Sequence, residues 1–402
     1  MEKLAEKRVI RDPIHGYIHI EDKVIWDLIN SKEFQRLRRV RQLGSTLMVF
    51  PSGEHSRMMH SLGAYEIARR MINEVDDIRN TLTEREKMVL MVAALLHDIG
   101  HAPFSHSFES ILSCKHELYT AQIITGPSEV ANVLRNIDEN LPEEVASVID
   151  HTHPNPILSQ LISSQLDADR LDYLLRDSYF TGVSYGQIDL DRILRTMRVK
   201  NNKVVVKRSS IYTVENYIMA RYHMYWQVYY HPNSRSYDTL LKSIFTRLRD
   251  LYSENEDILE QYPMYRELLT KKRLSNEEMY LLDDSTCMYS FSLMRRSKDP
   301  VLSDLAGRVL NRNLFEYMSA DREEYLINEC KKKGYDPRYY VVKDHQKQIP
   351  YLPYTGDGSD NIYVLMDNGT IEELSNVSQV VKSLSTINEQ DERVFYPKEI
   401  EL

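Results

Sequence analysis

The segment that most restricts this chain is residues 88–96, MVLMVAALL, an unbroken apolar run. A helix at a protein surface carries an apolar stripe, whereas a helix apolar on every side has to be surrounded by protein. Gly100 and Pro103 follow the run and stop it. His97 and Asp98 therefore stand at the last turn of a buried helix, with fixed backbones and dry surroundings. A chain built around such a helix needs several others to cover it.

The flanking segments supply them. Over residues 25–43 the apolar positions recur at three and four, as on one helix face. MMHSLGAYEIARRMINEV reads as another helix, opening near His60, and more are expected over 143–151, 155–179 and 212–231. RVIRDPIHGYIHI alternates and carries Pro13 and Gly16, so it reads as strand and turn. KNNKVVVKRS has the Asn-Asn turn and β-branched run of a short hairpin. After about Gly334 the character shifts to prolines, a Gly/Asp/Ser loop and an Asn-Gly turn between apolar alternations. The expected architecture is mainly α: a helical body over 1–330 whose motif core is 50–185, with short hairpins, and a small mixed α/β region over 331–402.

At 402 residues, 42% hydrophobic and 28% charged, the composition is that of a globular protein with a sizeable core. The net charge of -9 argues against a general nucleic-acid coat, because phosphate backbones bind basic surfaces. Cys114, Cys287 and Cys330 are scattered and form neither a disulfide framework nor a CxxC zinc pattern. With no apolar signal core in MEKLAEKRVIRDPIHG and no membrane-length apolar run, a cytoplasmic protein without membrane attachment is expected.

The chemistry gathers at His97-Asp98-Ile-Gly-His101-Ala-Pro-Phe-Ser-His106. Imidazole with carboxylate is the ligand pair of a hydrolytic divalent metal. Alone, a His-Asp pair at a helix end reads as a capping or surface feature. Here four of the chain's 13 histidines fall between His97 and His116, and His60 and Asp169 stand in the strings HSRMMHSLG and DADRLDY. A random cluster does not also place a His-Asp dipeptide at the end of an apolar helix.

The order H…HD…D is the signature of the HD phosphohydrolase superfamily. The longer strings DPIHG, FQRLRRVRQLG, VFPSGEHSRMMHSLG, LLHDIGHAPFSHSFE and DADRLDYLLRDSYFTGV resemble its deoxynucleoside-triphosphate triphosphohydrolase branch over roughly residues 8–320. That branch includes the animal sterile-alpha-motif/HD enzyme and bacterial relatives. The resemblance implies an HD-domain helical fold and a divalent metal (iron, manganese, zinc or magnesium) on His60, His97, Asp98 and Asp169. It assigns phosphate contacts to Arg57 and Arg170, and an α-phosphate contact to His101. His106 becomes the general acid for the departing 5′-oxygen, His116 an auxiliary donor, and Glu109 takes the place of the family's Asp. Tyr173 packs against C2′ of the sugar, Asp177 and Gln42 hold the 3′-hydroxyl, and Arg221, Tyr225 and Tyr229 fall at phosphate and base contacts. Without the resemblance, Tyr173 and its aromatic neighbours read as ordinary core.

Relatives in the branch are often tetramers activated by a nucleotide between subunits. The matching positions are Arg8, Val9, Gln35, Arg38 and Arg312, with Glu316 and Pro232 standing where cations occur in the animal enzyme. The implied activity is hydrolysis of dNTPs to deoxynucleoside and inorganic triphosphate by a homotetramer responsive to dGTP or GTP. The alternatives are an HD enzyme for a cyclic nucleotide, alarmone or monophosphate, and a nucleic-acid-binding regulator.

Overall fold

The computed structural model describes residues 2–104, 108, 115–255, 257–271, 273–348, 351, 361–387 and 389–400. The chain opens with an antiparallel hairpin of β1 (Lys3–Asp12) and β2 (Gly16–Asp22), with Ile10 opposite Ile18. Asp12 Oδ1 closes its turn by accepting from the backbone N–H groups of Ile14 and His15, both at 2.9 Å. The helix expected over 25–43 is broken in two, α1 (Lys23–Asn30) and α2 (Lys32–Arg36), with a 3-10 turn over Leu37–Arg39. Ser31 is the cause. Its Oγ donates to Leu28 O at 2.7 Å and accepts from Phe34 N–H at 3.4 Å, ending one helix and capping the next.

α3 (Arg57–Glu74) leads to α4 (Glu84–Leu96), which is the apolar run, and its start is fixed by a capping box of Thr83 and Glu86. Every residue from Met88 to Leu96 is buried, as the sequence requires. α5 (His116–Thr125) comes next, and the helix expected over 143–151 spans Leu141–Ile149. The helix expected over 155–179 is again two, Pro156–Ile162 and α6 (Ala168–Thr181). Asp167 divides them: it accepts from Ser164 N–H at 2.5 Å and from Arg170 N–H at 2.6 Å, local bonds that compete with a continuous helix. α3 packs against α4 on one side and α6 on the other.

α7 (Ile211–Met224) passes into a π turn over Tyr225–Tyr229, where Tyr230 N–H donates to Tyr225 O at 2.8 Å. α8 (Pro232–Glu254) starts afresh on a proline whose missing N–H costs nothing at a helix start. With α9 (Asp284–Met294) and α10 (Pro300–Asn311) it forms a second core around Tyr237, Phe245, Phe291 and Leu305.

The expected hairpin is β3 (Met197–Lys200) and β4 (Lys203–Lys207), turned by Asn201 and Asn202 at φ 53° and 57°, the primed geometry that suits strand twist. β5 (Glu316–Ser319) precedes the final region, which contributes β6 (Val342–Gln348), β7 (Tyr363–Leu365), β8 (Ile371–Glu373) and β9 (Glu389–Tyr396). These strands join earlier ones. β7 runs parallel to β4 in the order β3-β4-β7-β8, and β9 lies between β5 and β6. Among the described residues no helix is long and apolar enough to cross a membrane.

Buried ions tie the first hairpin to α3 and α6. Arg176 is wholly buried and donates from Nε to Asp172 Oδ2 at 2.8 Å and from Nη1 to Asp12 Oδ2 at 2.7 Å. His15 Nε2 donates to Asp172 Oδ1 at 2.7 Å. Gly63 of α3 leaves the room, since a Cβ there would overlap Asp172 Oδ1 and Arg176 Nη2. Burial raises the Asp172 pKa, but Arg176, His15 and His60 outweigh it and hold the carboxyl well below its usual range. The stability so gained is complete above the ordinary carboxylate value of about 4 and is lost as pH falls through the depressed folded value. Asp172→Asn is expected to cost ~3–5 kcal/mol in urea unfolding at neutral pH, and its gap to the wild type to narrow below about pH 4. Gly63→Ala is expected to cost ~1–3 kcal/mol in the same measurement through overpacking.

Candidate active site and metal centre

His60 from α3, His97 and Asp98 from the end of α4, and Asp169 from the first turn of α6 converge. His60 Nε2 lies 3.2 Å from His97 Nε2, 3.1 Å from Asp169 Oδ1 and 3.6 Å from Asp98 Oδ2. His97 Nε2 lies 3.4 Å from Asp98 Oδ1 and 3.6 Å from Asp169 Oδ1. One ligand atom each from His60, His97 and Asp169 falls within a 4.8 Å span, and so does a neighbouring set from Asp98, His101 and His116.

The tautomers follow from the partners. His97 Nδ1 faces the Ala94 carbonyl at 2.8 Å, and His60 Nδ1 faces Asp172 Oδ2 at 2.9 Å. Both partners only accept, so both Nδ1 atoms carry hydrogen, and with a cation bound each ring would turn an Nε2 lone pair into the cluster. Two Nε2 atoms and two carboxylates at one point form a donor set that fits a divalent cation. Without a cation the carboxylates draw a proton onto His60 instead. Burial lowers the His60 pKa, but Asp169 and Asp172 overcome it and push the ring up to about 10. Burial likewise opposes ionisation of Asp98 and Asp169, yet the adjoining histidines, with Arg57 beside Asp98, hold both below the usual carboxylate range. Positive charge is favoured here.

Arg57, at the first turn of α3, donates from Nη1 to Asp98 Oδ2 and is 4% exposed. It does not pair with Glu54, which binds Arg41 instead. His101 stacks on His116 with ring centroids 3.7 Å apart, and burial, then Arg57 and His116, push its pKa well down. His101 is therefore neutral. Thr120 Oγ1 donates to His97 O at 3.1 Å and accepts from Gly100 N–H at 3.1 Å, which fixes the turn after α4.

A pocket of about 700 Å³ opens from this cluster. Of the residues singled out in the sequence, Gln42, Arg57, Asp98, His101, His116 and Asp169 line it, as do Tyr173, Asp177, Tyr225 and Tyr229. Asp177 is 2% exposed and accepts from the Tyr229 hydroxyl and from His55 Nε2, each at 2.8 Å. Arg170 and Arg221 are not part of this lining: Arg170 Nη1 is held by Asp167 Oδ2 at 2.9 Å, and Arg221 hydrogen-bonds Tyr217. His106 and Glu109 lie outside the described residues.

At the second set of positions, Arg38 Nε donates to Gln35 Oε1 at 2.7 Å, and Val9 is 53% exposed. Arg8 lies over the Trp26 ring, and Arg312 donates to Met48 O at 2.8 Å from a left-handed backbone. Arg8 and Val9 are neighbours on β1, Gln35 and Arg38 pair across the end of α2, and Arg312 follows α10, with Gln35–Arg38 the one side-chain bond between them among the described residues.

Sequence reasoning missed Asp172, His15 and His55, and the far wall of the pocket made by Arg235, Asp344 and Gln346. DPIHG and GEHSRMMH contained the two histidines. The spacing of three between Asp169 and Asp172 could have suggested a shared helix face.

Comparison with known proteins agrees with this geometry. Residues 57–177 match the HD domain and residues 188–333 match the HD associated region. Bacillus subtilis protein YwfO is 44% identical across 99% of this chain and 94% of its own length. The Dictyostelium discoideum deoxynucleoside triphosphate triphosphohydrolase SAMHD1 homolog is 29% identical across 77% of this chain and 60% of its own. Among solved structures, a phosphohydrolase from Bacteroides thetaiotaomicron superposes with a TM-score of 0.83 at 28% identity, covering 97% of this chain and all of its own. With family models matching over residues 57–177 and 188–333 and a relative 44% identical over 99% of this sequence, the chain belongs to the HD-domain family.

Proposed function

We infer that the chain is a metal-dependent phosphohydrolase that cleaves dNTPs to a deoxynucleoside and inorganic triphosphate. The observation that carries this reading is the convergence of the His60 and His97 lone pairs with Asp98 and Asp169 at the head of a pocket whose wall holds Tyr173 and Asp177. A divalent cation held by those four residues supplies charge stabilisation at phosphorus and a water of lowered pKa.

The chain's own residues do the rest. Arg57 carries fixed positive charge beside Asp98, where an α-phosphate has to lie. Neutral His101 offers a hydrogen bond without adding charge. His106 is assigned protonation of the departing 5′-oxygen, with His116 and Glu109 in support. Asp177 already accepts two hydrogen bonds, and its remaining lone pairs suit a 3′-hydroxyl. The Tyr173 ring, centred 6.5 Å from His60, covers the position of a 2′-hydroxyl. A guanine nucleotide effector at Arg8, Val9, Gln35, Arg38 and Arg312, acting on a homotetramer, belongs to the same reading and is supported by the surface pair Gln35–Arg38.

The deciding experiment is incubation with each dNTP and NTP in manganese or magnesium, with product identification. Tripolyphosphate from dNTPs is expected, and release of only orthophosphate or pyrophosphate would overturn the reaction assigned. Tyr173→Ala is expected to raise NTP turnover relative to dNTP about tenfold, since an emptied volume no longer excludes the extra hydroxyl. Parallel loss of both activities would make Tyr173 core only. Asp172→Asn is expected to weaken manganese binding 10- to 100-fold in a titration, because His60 loses the group that fixes its tautomer. Hydrolysis of dATP is expected to rise about fivefold with dGTP, at the low end of allosteric coupling, and to lose that response in Arg38→Ala.

A further inference from the structure

The pocket has a second end. From His60 a row of rings leads away from the metal cluster: Tyr173 at 6.5 Å, Tyr229 6.3 Å further, then Tyr225 at 5.1 Å and Tyr230 at 5.5 Å. The π turn makes this row possible, because its wider repeat keeps Tyr225, Tyr229 and Tyr230 together at one pocket wall. The row ends on β6, where the Tyr230 hydroxyl donates to Lys347 O at 3.3 Å. Asp344 and Gln346, two apart on that strand and so on one face, line the pocket there.

The two side chains are not equivalent. Arg235 of α8 is 2% exposed and donates from Nε to Asp344 Oδ2 at 2.7 Å, from Nη2 to Asp391 O at 3.1 Å and from Nη1 to Asp391 Oδ2. Asp344 is thereby committed to holding β6 and β9 against α8. Gln346 is half-buried, and among the described residues its side chain contacts only the Asp344 carboxylate, from Nε2 to Oδ2 at 3.3 Å and to Oδ1 at 3.5 Å, which leaves its carboxamide oxygen and much of its donor capacity for the pocket.

We propose that β6 is the base-reading wall of this pocket and that Gln346 is the residue that discriminates between bases; this rests on the reading of the pocket as a nucleotide site. Phosphates at the metal cluster and a sugar against Tyr173 direct the base along the tyrosine row, where every base has a face to stack. Its hydrogen-bonding edge then meets the Gln346 carboxamide, which presents one donor and one acceptor side by side and so matches some edges better than others.

The test uses full-length wild type, Gln346→Ala and Gln346→Glu. Two quantities are measured: kcat/KM for the four dNTPs, and Kd for the four deoxynucleosides by calorimetry. The wild type is expected to show a spread among bases. Gln346→Ala should compress that spread about fivefold, chiefly through KM, as loss of one neutral hydrogen bond does. Gln346→Glu, with acceptors only, should reorder the bases. An unchanged order and spread in both variants overturns the proposal while leaving dNTP hydrolysis intact. A wild type that cleaves no dNTP yet binds deoxynucleosides with a spread that Gln346→Ala compresses keeps the wall and removes the reaction. A wild type that binds none of the four overturns both.

Discussion

The structure depends on one buried carboxylate, Asp172. It accepts from His60, His15 and Arg176, each from a different segment, and Arg176 carries the connection on to Asp12 at the turn of the first hairpin. A single ion in a dry interior would be driven to neutrality, so the group persists only because every lone pair is matched. The same carboxylate fixes the His60 tautomer. Fold and chemistry are therefore joined at one atom pair, and Gly63 is the residue of α3 that lets α6 come close enough for the pair to form.

Much of this was readable along the chain, because it is local. The apolar run of α4 and the His-Asp dipeptide at its end are neighbours in sequence, and periodicity with stop signals places them correctly. His60 and Asp169 are marked by their strings. Where reading failed, tertiary or side-chain effects intervene. Ser31 and Asp167 bond their own backbones and divide helices that periodicity alone would run together. Arg235 and Asp344 meet only because β6 folds back from more than a hundred residues away, and no local pattern records that.

The final strands are part of the sheets of the body. Their place in the sheets explains why they belong with the body. β9 sits between β5 and β6, and β7 pairs with β4, so deleting the last region would expose two sheet edges as well as one side of the pocket.

That topology also sets an order of events during synthesis. The helices carrying His60, His97 and Asp169 leave the ribosome well before the final strands and can pack on one another without them. β4 has to wait for β7, about 160 residues later, and β6 is secured only when Asp391 of β9 arrives to share Arg235. Pairings so distant close slowly. A nascent chain thus holds the His and Asp side chains that could hold a metal well before it holds a complete pocket, and the cleft stays one-sided until almost the whole polypeptide has been made.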